Sequence, residues 1–157
     1  MQIAIPGGAL VLLVGPSGSG KSTFAAAHFA RTAVVSSDAC RGLVSDDETN
    51  MDATPAAFRV LHAIVRERLR FGKLTVVDAT NVRADKRGRL VRLARDLGRP
   101  AVAIVFDLPD SVYIERNRTR PERVIPESAV LAQIADMRRT LATIPEEGFA
   151  NVIKVET

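Results

Sequence analysis

Gly15-Pro16-Ser17-Gly18-Ser19-Gly20-Lys21-Ser22 reads G-x-x-x-x-G-K-S and stands directly behind the apolar run Ala9 to Val14. Glycines at three of these eight positions let the backbone turn tightly with its amide hydrogens facing inward, a nest for an anion at the start of the next helix. Thr23-Phe24-Ala25-Ala26-Ala27-His28-Phe29 supplies that helix. Strand, glycine loop and helix in this order form a phosphate-binding loop, so Gly15, Ser17, Gly18, Ser19, Gly20, Lys21, Ser22 and Thr23 are the candidate nucleotide-binding set. Lys21 would reach the β- and γ-phosphates, and the Ser22 hydroxyl would bind the Mg²⁺ that bridges them. Read without a ligand, the same residues make a plain Gly/Ser turn.

The chain has 157 residues, of which 46% are apolar, and a mean hydropathy of +0.07, which suits one compact domain with a single core. The net charge is +4, and 18 Arg stand against 4 Lys, a bias towards planar, bidentate phosphate binders. Cys40 is the one cysteine, which excludes an intrachain disulfide. No charged-then-apolar leader and no apolar run near the ~20 residues of a bilayer span is present, so a reducing cytoplasm and no membrane are the expectation. There is no repeat, low-complexity tract or Pro/Gly/Ser linker, so residues 1–157 read as one domain.

In chain order, Ile3 and Ile5 alternate ahead of the Pro6-Gly7-Gly8 turn and predict a short leading edge strand, followed by a fully buried strand over Ala9 to Val14. The loop's helix runs to about Ala30. Ala33-Val34-Val35-Ser36 is a second strand that delivers Ser37, Asp38 and Arg41 at its C-terminal end, the end that faces the ligand crevice in open α/β sheets. Ser45 to Asp52 is acidic and patternless, the reading of a mobile loop. Thr54 as cap, with Pro55, opens a helix whose Phe58, Leu61, Ile64, Val65 and Leu69 face inward. Leu74 to Asp78 is a third strand with an acid at its tip. Ala84 to Leu97 is a helix with Leu90, Leu93, Ala94 and Leu97 inward and Lys86, Arg87, Arg89, Arg92 and Arg95 outward, a solvated basic face. Ala101 to Phe106 is a fourth parallel strand, and Pro109 starts a helix that ends in Arg116, Arg118, Arg120 and Arg123. Pro126 opens a last helix with Leu131, Ile134, Met137 and Leu141 on one face, and Asn151 to Val155 is a short closing strand.

This order specifies a three-layer α/β/α P-loop nucleoside triphosphatase of the kinase type, with a mainly parallel sheet. A GTP switch would want N-K-x-D and D-x-x-G at strand ends, whereas Asn81-Val82-Arg83-Ala84 is not the first and Asp85-Lys86-Arg87-Gly88 falls within a helix. The arginine cluster argues instead for phosphoryl transfer: Arg116 and Arg120, spaced i, i+4, would close as a lid over charge developing on the γ-phosphate. The alternative is an exposed basic helix end favoured by the helix dipole. Asp38, beyond the strand that follows the loop's helix, lies where an acceptor hydroxyl would enter in line and could take its proton; as a pure cap of the helix Ala39 to Leu43 it would have no chemistry.

Val35-Ser36-Ser37-Asp38, Cys40-Arg41-Gly42-Leu43-Val44-Ser45-Asp46-Asp47, Val76-Val77-Asp78-Ala79-Thr80-Asn81 and Glu115-Arg116-Asn117-Arg118-Thr119-Arg120 together resemble the 5′-OH polynucleotide kinase module of bacterial polynucleotide kinase-phosphatase. The similarity runs over nearly the whole chain. It implies ATP as donor with Mg²⁺ or another divalent cation, a 5′-OH RNA or DNA end as acceptor, and a place as the N-terminal module of an RNA end-repair protein with further repair modules in the same chain. It also implies that Lys21 and Ser22 bind phosphates and metal, that Asp38 is the base, and that Arg41 holds the acceptor strand's phosphate. Arg116, Arg120 and, more weakly, Arg123 would be lid residues on the donor phosphates. Asp78 either orients a metal-bound water or caps the turn into Thr80-Asn81. A small-metabolite kinase of the same fold and a non-catalytic ATP-binding module are the competing readings.

Overall fold

The computed structural model describes residues 4–120 and 125–156. Five strands, β1 (Leu10–Val14), β2 (Val34–Ser36), β3 (Thr75–Asp78), β4 (Ala101–Phe106) and β5 (Asn151–Val155), form one parallel sheet in the order β2-β3-β1-β4-β5. The runs Leu-Val-Leu-Leu-Val in β1 and Ala-Val-Ala-Ile-Val-Phe in β4 are buried along their whole length, because helices cover both faces of such a sheet. On one face α3 (Thr54–Arg70) and α4 (Ala84–Asp96) bring Leu61, Val65, Leu69, Leu90, Val91 and Ala94 onto Leu10, Leu12 and Val14. On the other, α1 (Lys21–His28) sets Ala25 and Phe24 against Val11, Leu13, Ile104 and Phe106.

A third cluster sits beside the loops that leave β3 and β4. There α5 (Asp110–Arg118) and α6 (Glu127–Thr140) pack Tyr113, Val130, Ile134 and Met137 against Val82 and Leu108. The Tyr113 hydroxyl donates to the Phe106 carbonyl at 2.5 Å and accepts from the Leu108 amide at 2.8 Å. That pair fixes α5 to the end of β4, and burial pushes the Tyr113 phenol above its ordinary pKa, so it stays a donor.

Several expectations need correction. Ile5 lies in no strand and packs on the α1 side of the core from irregular chain, while Ile3 lies outside the described residues. The loop's helix stops at His28. Thr54 is the first helical residue of α3, with Ala53 before it as the cap, which releases the Thr54 hydroxyl for another partner. Residues 45–52 are not patternless, for Asp47 accepts from the Thr49 amide and hydroxyl, and Asn50 caps a short 3₁₀ turn, Met51–Ala53. On α6 Val130 takes the inward position and Leu131 is 48% exposed.

The largest departure is Arg87, which is 0% exposed. Its guanidinium pairs with Glu147 through Nε (2.7 Å) and Nη2 (2.8 Å) and also donates to the Asn81 carbonyl and the Thr140 hydroxyl. Burial alone would raise the Glu147 carboxyl, but hydrogen bonds from Arg87 and Thr143 together with the Arg87 charge hold it below the ordinary carboxylate range. A lowered folded pKa contributes stability above the unfolded value of about 4.3, lost as pH falls through the folded value. Arg87→Met should therefore cost about 3 kcal/mol at neutral pH, because Glu147 is left without its cation, and should flatten the acid limb of a stability-versus-pH curve. Urea unfolding from pH 7 down to pH 3 measures both; an unchanged acid limb would show that the pair contributes nothing to pH-dependent stability.

Candidate active site

The sheet order decides the site, because β3 pairs directly with β1 in the register Leu13 to Asp78. Asp78 thereby arrives beside the phosphate-binding loop, and the Ser22 hydroxyl donates to its Oδ2 at 2.8 Å. The Gly15 amide donates to the Thr80 carbonyl at 2.9 Å, and Asn81, at φ +50°, donates from Nδ2 to the Leu13 carbonyl at 2.8 Å. Asn81 thus closes the turn after β3 itself and lashes it to the end of β1. Within the loop Gly18 and Gly20 have φ of +85° and +91°, in the left-handed region that glycine tolerates. A Cβ on Gly18 would also lie 2.6 Å from Asn117 Nδ2, so the close approach of α5 requires glycine there. Gly20 is the N-cap of α1, and Lys21 folds back over the loop, its Nζ donating to the Pro16 carbonyl (3.0 Å) and to Ser19 Oγ (3.3 Å). Thr23 follows, exposed, in the first turn of α1.

Asp38 lies in the first turn of α2 (Ser37–Ser45), not at its cap: Ser36 Oγ caps the helix by accepting from the Ala39 amide. The carboxylate pairs with Arg41 Nη1 at 2.5 Å, one turn along. Arg41 is 6% exposed, and its Nε donates to the Thr54 hydroxyl at 3.0 Å, so the start of α3 fixes the guanidinium from behind. The result is an ordered carboxylate–guanidinium pair at the C-terminal end of β2.

From the other side α5 reaches over the loop. Arg116 Nη1 donates to the Gly18 carbonyl and Arg120 Nη1 to Ser17 Oγ, both at 3.4 Å. The two are not the i, i+4 pair on one helix that the spacing predicts, because α5 ends at Arg118 and Arg120 reaches the loop from the chain beyond it. Arg118, between them, turns away to an exposed pair with Glu127. Arg123 lies outside the described residues. Two contributors escaped the sequence reading. Asn117 takes the Ser17 hydroxyl on Oδ1 (2.8 Å) and donates to the Ser17 carbonyl (2.6 Å), and Gln133 of α6 accepts from the Ser17 amide at 2.9 Å. Asn117 stands inside the arginine block and could have been found from its place between Arg116 and Arg118. Gln133, 116 positions from Ser17, carried no local signal.

The arrangement is that of a P-loop kinase: a polyphosphate nest with its lysine, a hydroxyl and an acid side by side, and arginines overhead. Residues 10–144 match the AAA domain family, and the chain belongs to it. Among solved structures, the Pnkp1/Rnl/Hen1 RNA repair complex contains a chain similar to this one at 26% identity, with a TM-score of 0.77 over 90% of this chain. This chain spans only 47% of that chain's length. A gluconokinase from Sinorhizobium meliloti 1021 shares the fold at 21% identity and a TM-score of 0.59, covering 97% of this chain and 84% of that one. So does the APS kinase CysC of Mycobacterium tuberculosis, in complex with AMPPNP and APS, at 24% identity and 0.55, covering 75% and 71%. No curated protein matches the chain in sequence.

The fold implies a nucleoside triphosphate and a divalent cation, and the donors present fit both. Among the described residues no group of three or more His, Cys, Asp or Glu is clustered as a metal cage. Mg²⁺ does not need one, since it keeps several waters and takes substrate phosphates with one or two protein oxygens, the donor set that Ser22 and Asp78 offer. Among the described residues no helix is long and apolar enough to cross a membrane.

Proposed function

We propose that the chain transfers the γ-phosphate of ATP to the 5′-hydroxyl of a nucleic acid end. The observation that carries this reading is the Asp38–Arg41 pair, a base for a hydroxyl and a cation for a phosphate one helical turn apart, at the same C-terminal end of the sheet as the phosphate loop and with only β3 between their strands. A terminal nucleotide in a strand offers the matching pair, a 5′-OH and, one sugar away, a phosphate. In the step, the 5′ oxygen attacks the γ-phosphorus, the bond to the β,γ-bridging oxygen breaks, ADP leaves, and Asp38 takes the hydroxyl proton. Lys21 would bind the β- and γ-phosphates. Mg²⁺, when bound, neutralises charge on those phosphates; Ser22 would hold it and Asp78 would accept from a water on it. The similarity at 26% identity to a chain of an RNA repair complex supports an RNA-directed reading and a role beside other repair modules.

Arg116 and Arg120 form the lid in this reading. Their long 3.4 Å contacts to the loop are weak bonds that a phosphate oxygen would outcompete. Arg116→Ala and Arg120→Ala should each lower kcat by about 10²-fold or more while ATP affinity falls less than about tenfold, because the lid acts on charge that develops in the transition state. Equal losses in rate and in ATP affinity would make them ground-state anchors instead.

An acceptor panel tests the substrate class: γ-labelled ATP, Mg²⁺ and, in separate reactions, a 5′-OH oligonucleotide, gluconate, adenosine 5′-phosphosulfate and simple alcohols. The oligonucleotide alone should be labelled. Labelling of a small acceptor instead would make the chain a metabolite kinase, and ATP binding without transfer to any acceptor would make it a binding module.

A further inference from the structure

Charge is distributed unevenly on this molecule. Helices α3 and α4 carry 9 of the 22 Lys and Arg but only 3 of the 18 Asp and Glu, a net +6 against +4 for the whole chain, so everything else sums to −2. On α3, Arg59, His62 and Arg66 follow one another at i, i+3 and i+7 on the side turned towards α4, and on α4 Lys86 and Arg89 face them. All four cations are exposed, and half-buried His62 feels the charges of Arg89, Arg66 and Lys86. Two of the three acids on these helices are already engaged, Glu67 by Arg70 and Asp85 by Arg83. Among the described residues, Arg59, Arg66, Lys86 and Arg89 have no carboxylate partner. Like charges gathered without counter-ions repel one another, an arrangement relieved when an anion enters.

The surface groove along the line where α3 packs on α4 starts at the end of α3 that holds Arg41. Thr54, whose hydroxyl holds Arg41, is the first residue of α3, so Arg59 lies about 7 Å and Arg66 about 18 Å further along the helix axis. Lys86 and Arg89 lie in the first two turns of α4, at the same end of the sheet.

We propose that the groove between α3 and α4 is a second nucleic-acid site, in which Arg59, Arg66, Lys86 and Arg89 bind the phosphodiester backbone of the acceptor strand downstream of its 5′ end. The proposal rests on the polynucleotide reading of the Asp38–Arg41 site and extends it from one terminal nucleotide to a strand. With only 7 aromatic residues in the chain, stacking platforms are few, and phosphate contacts in this groove would supply the affinity for a strand. Burial and the charges of Arg89, Arg66 and Lys86 hold the His62 pKa below its ordinary value, so an entering polyanion should raise it.

The test compares the wild-type chain with the triple variant Arg59→Gln, Arg66→Gln, Arg89→Gln on a 5′-OH dinucleotide and a 5′-OH 12-mer. The wild type should show a lower KM for the 12-mer than for the dinucleotide, with strong salt dependence. The variant should lose that advantage, by about tenfold at low salt, with kcat and the dinucleotide KM unchanged. Its slope of log affinity against log salt should shrink by about two, since each single-strand phosphate contact contributes about 0.7. Arg→Lys at the same three positions keeps the charge and should keep the advantage. A 12-mer KM that matches in wild type and Gln variant overturns the inference while leaving the kinase reading intact. If no oligonucleotide is labelled at all, the kinase reading fails, and anisotropy of a fluorescent 12-mer decides the groove alone: equal binding by both proteins, or no rise in the His62 pKa by NMR titration on adding the 12-mer, overturns it.

Discussion

Lys21→Ala should reduce phosphoryl transfer to every acceptor by about a thousandfold or more, the upper end of what one preorganised charge contributes at a transition state. No other lysine is in the loop, and Arg116 of α5 and Arg120 just beyond it approach from above, through Gly18 and Ser17, and not from within. The ammonium holds the Pro16 carbonyl and Ser19 Oγ, so its loss should also cost the loop about 1 kcal/mol per hydrogen bond, well short of unfolding the domain. Circular dichroism and a thermal melt beside the transfer assay separate the two effects. Near wild-type transfer by a folded variant would remove the phosphate-loop reading.

Asp38→Asn should lower kcat by about 10² to 10⁴, the range of a general base, and leave ATP affinity unchanged. The amide keeps the shape of the carboxylate, and its oxygen still accepts from Arg41, so geometry at the start of α2 survives while the proton has nowhere to go. The helix itself should be unaffected, because Ser36 and not Asp38 supplies the cap. A loss of stability with kcat retained would reduce Asp38 to a structural partner of Arg41. Arg41→Ala differs: it should raise the acceptor KM more than it lowers kcat, and it should loosen the contact between α2 and Thr54.

Much of this was legible before any coordinates. The apolar run into a glycine-rich loop and the acid at the tip of β3 are local patterns that fix which element a residue is on, whereas the i, i+4 spacing of Arg116 and Arg120 did not, because α5 ends at Arg118. What local pattern did not supply was the partner. Arg87 stands at i in the series 87, 90, 91, 94, the inward stripe of α4, yet its charge argued for the outside. Glu147, 60 positions away, decides the matter. On α6 Val130 and Leu131 are both apolar and either could begin the buried face; packing against Tyr113 selects Val130. Among the arginines at and just beyond the end of α5, Arg118 was indistinguishable by type from Arg116 and Arg120, and Glu127 draws it off. At Ile5 alternation says that the residue seeks burial but not that it pairs in a sheet, and Ile5 is covered on the α1 side of the core from irregular chain.

The central claim is that Asp38 and Arg41 receive the 5′ end of a nucleic acid strand opposite a γ-phosphate held by the loop. Its most direct measurement is a single-turnover reaction of the chain with γ-labelled ATP and Mg²⁺ on two oligonucleotides of one sequence, one ending in 5′-OH and one in 5′-phosphate, read on a gel. Label is expected on the 5′-OH strand, removable by a 5′-phosphatase, and none on the strand whose 5′ end is already phosphorylated. Equal labelling of both strands, or release of the label as inorganic phosphate with neither strand modified, would contradict it.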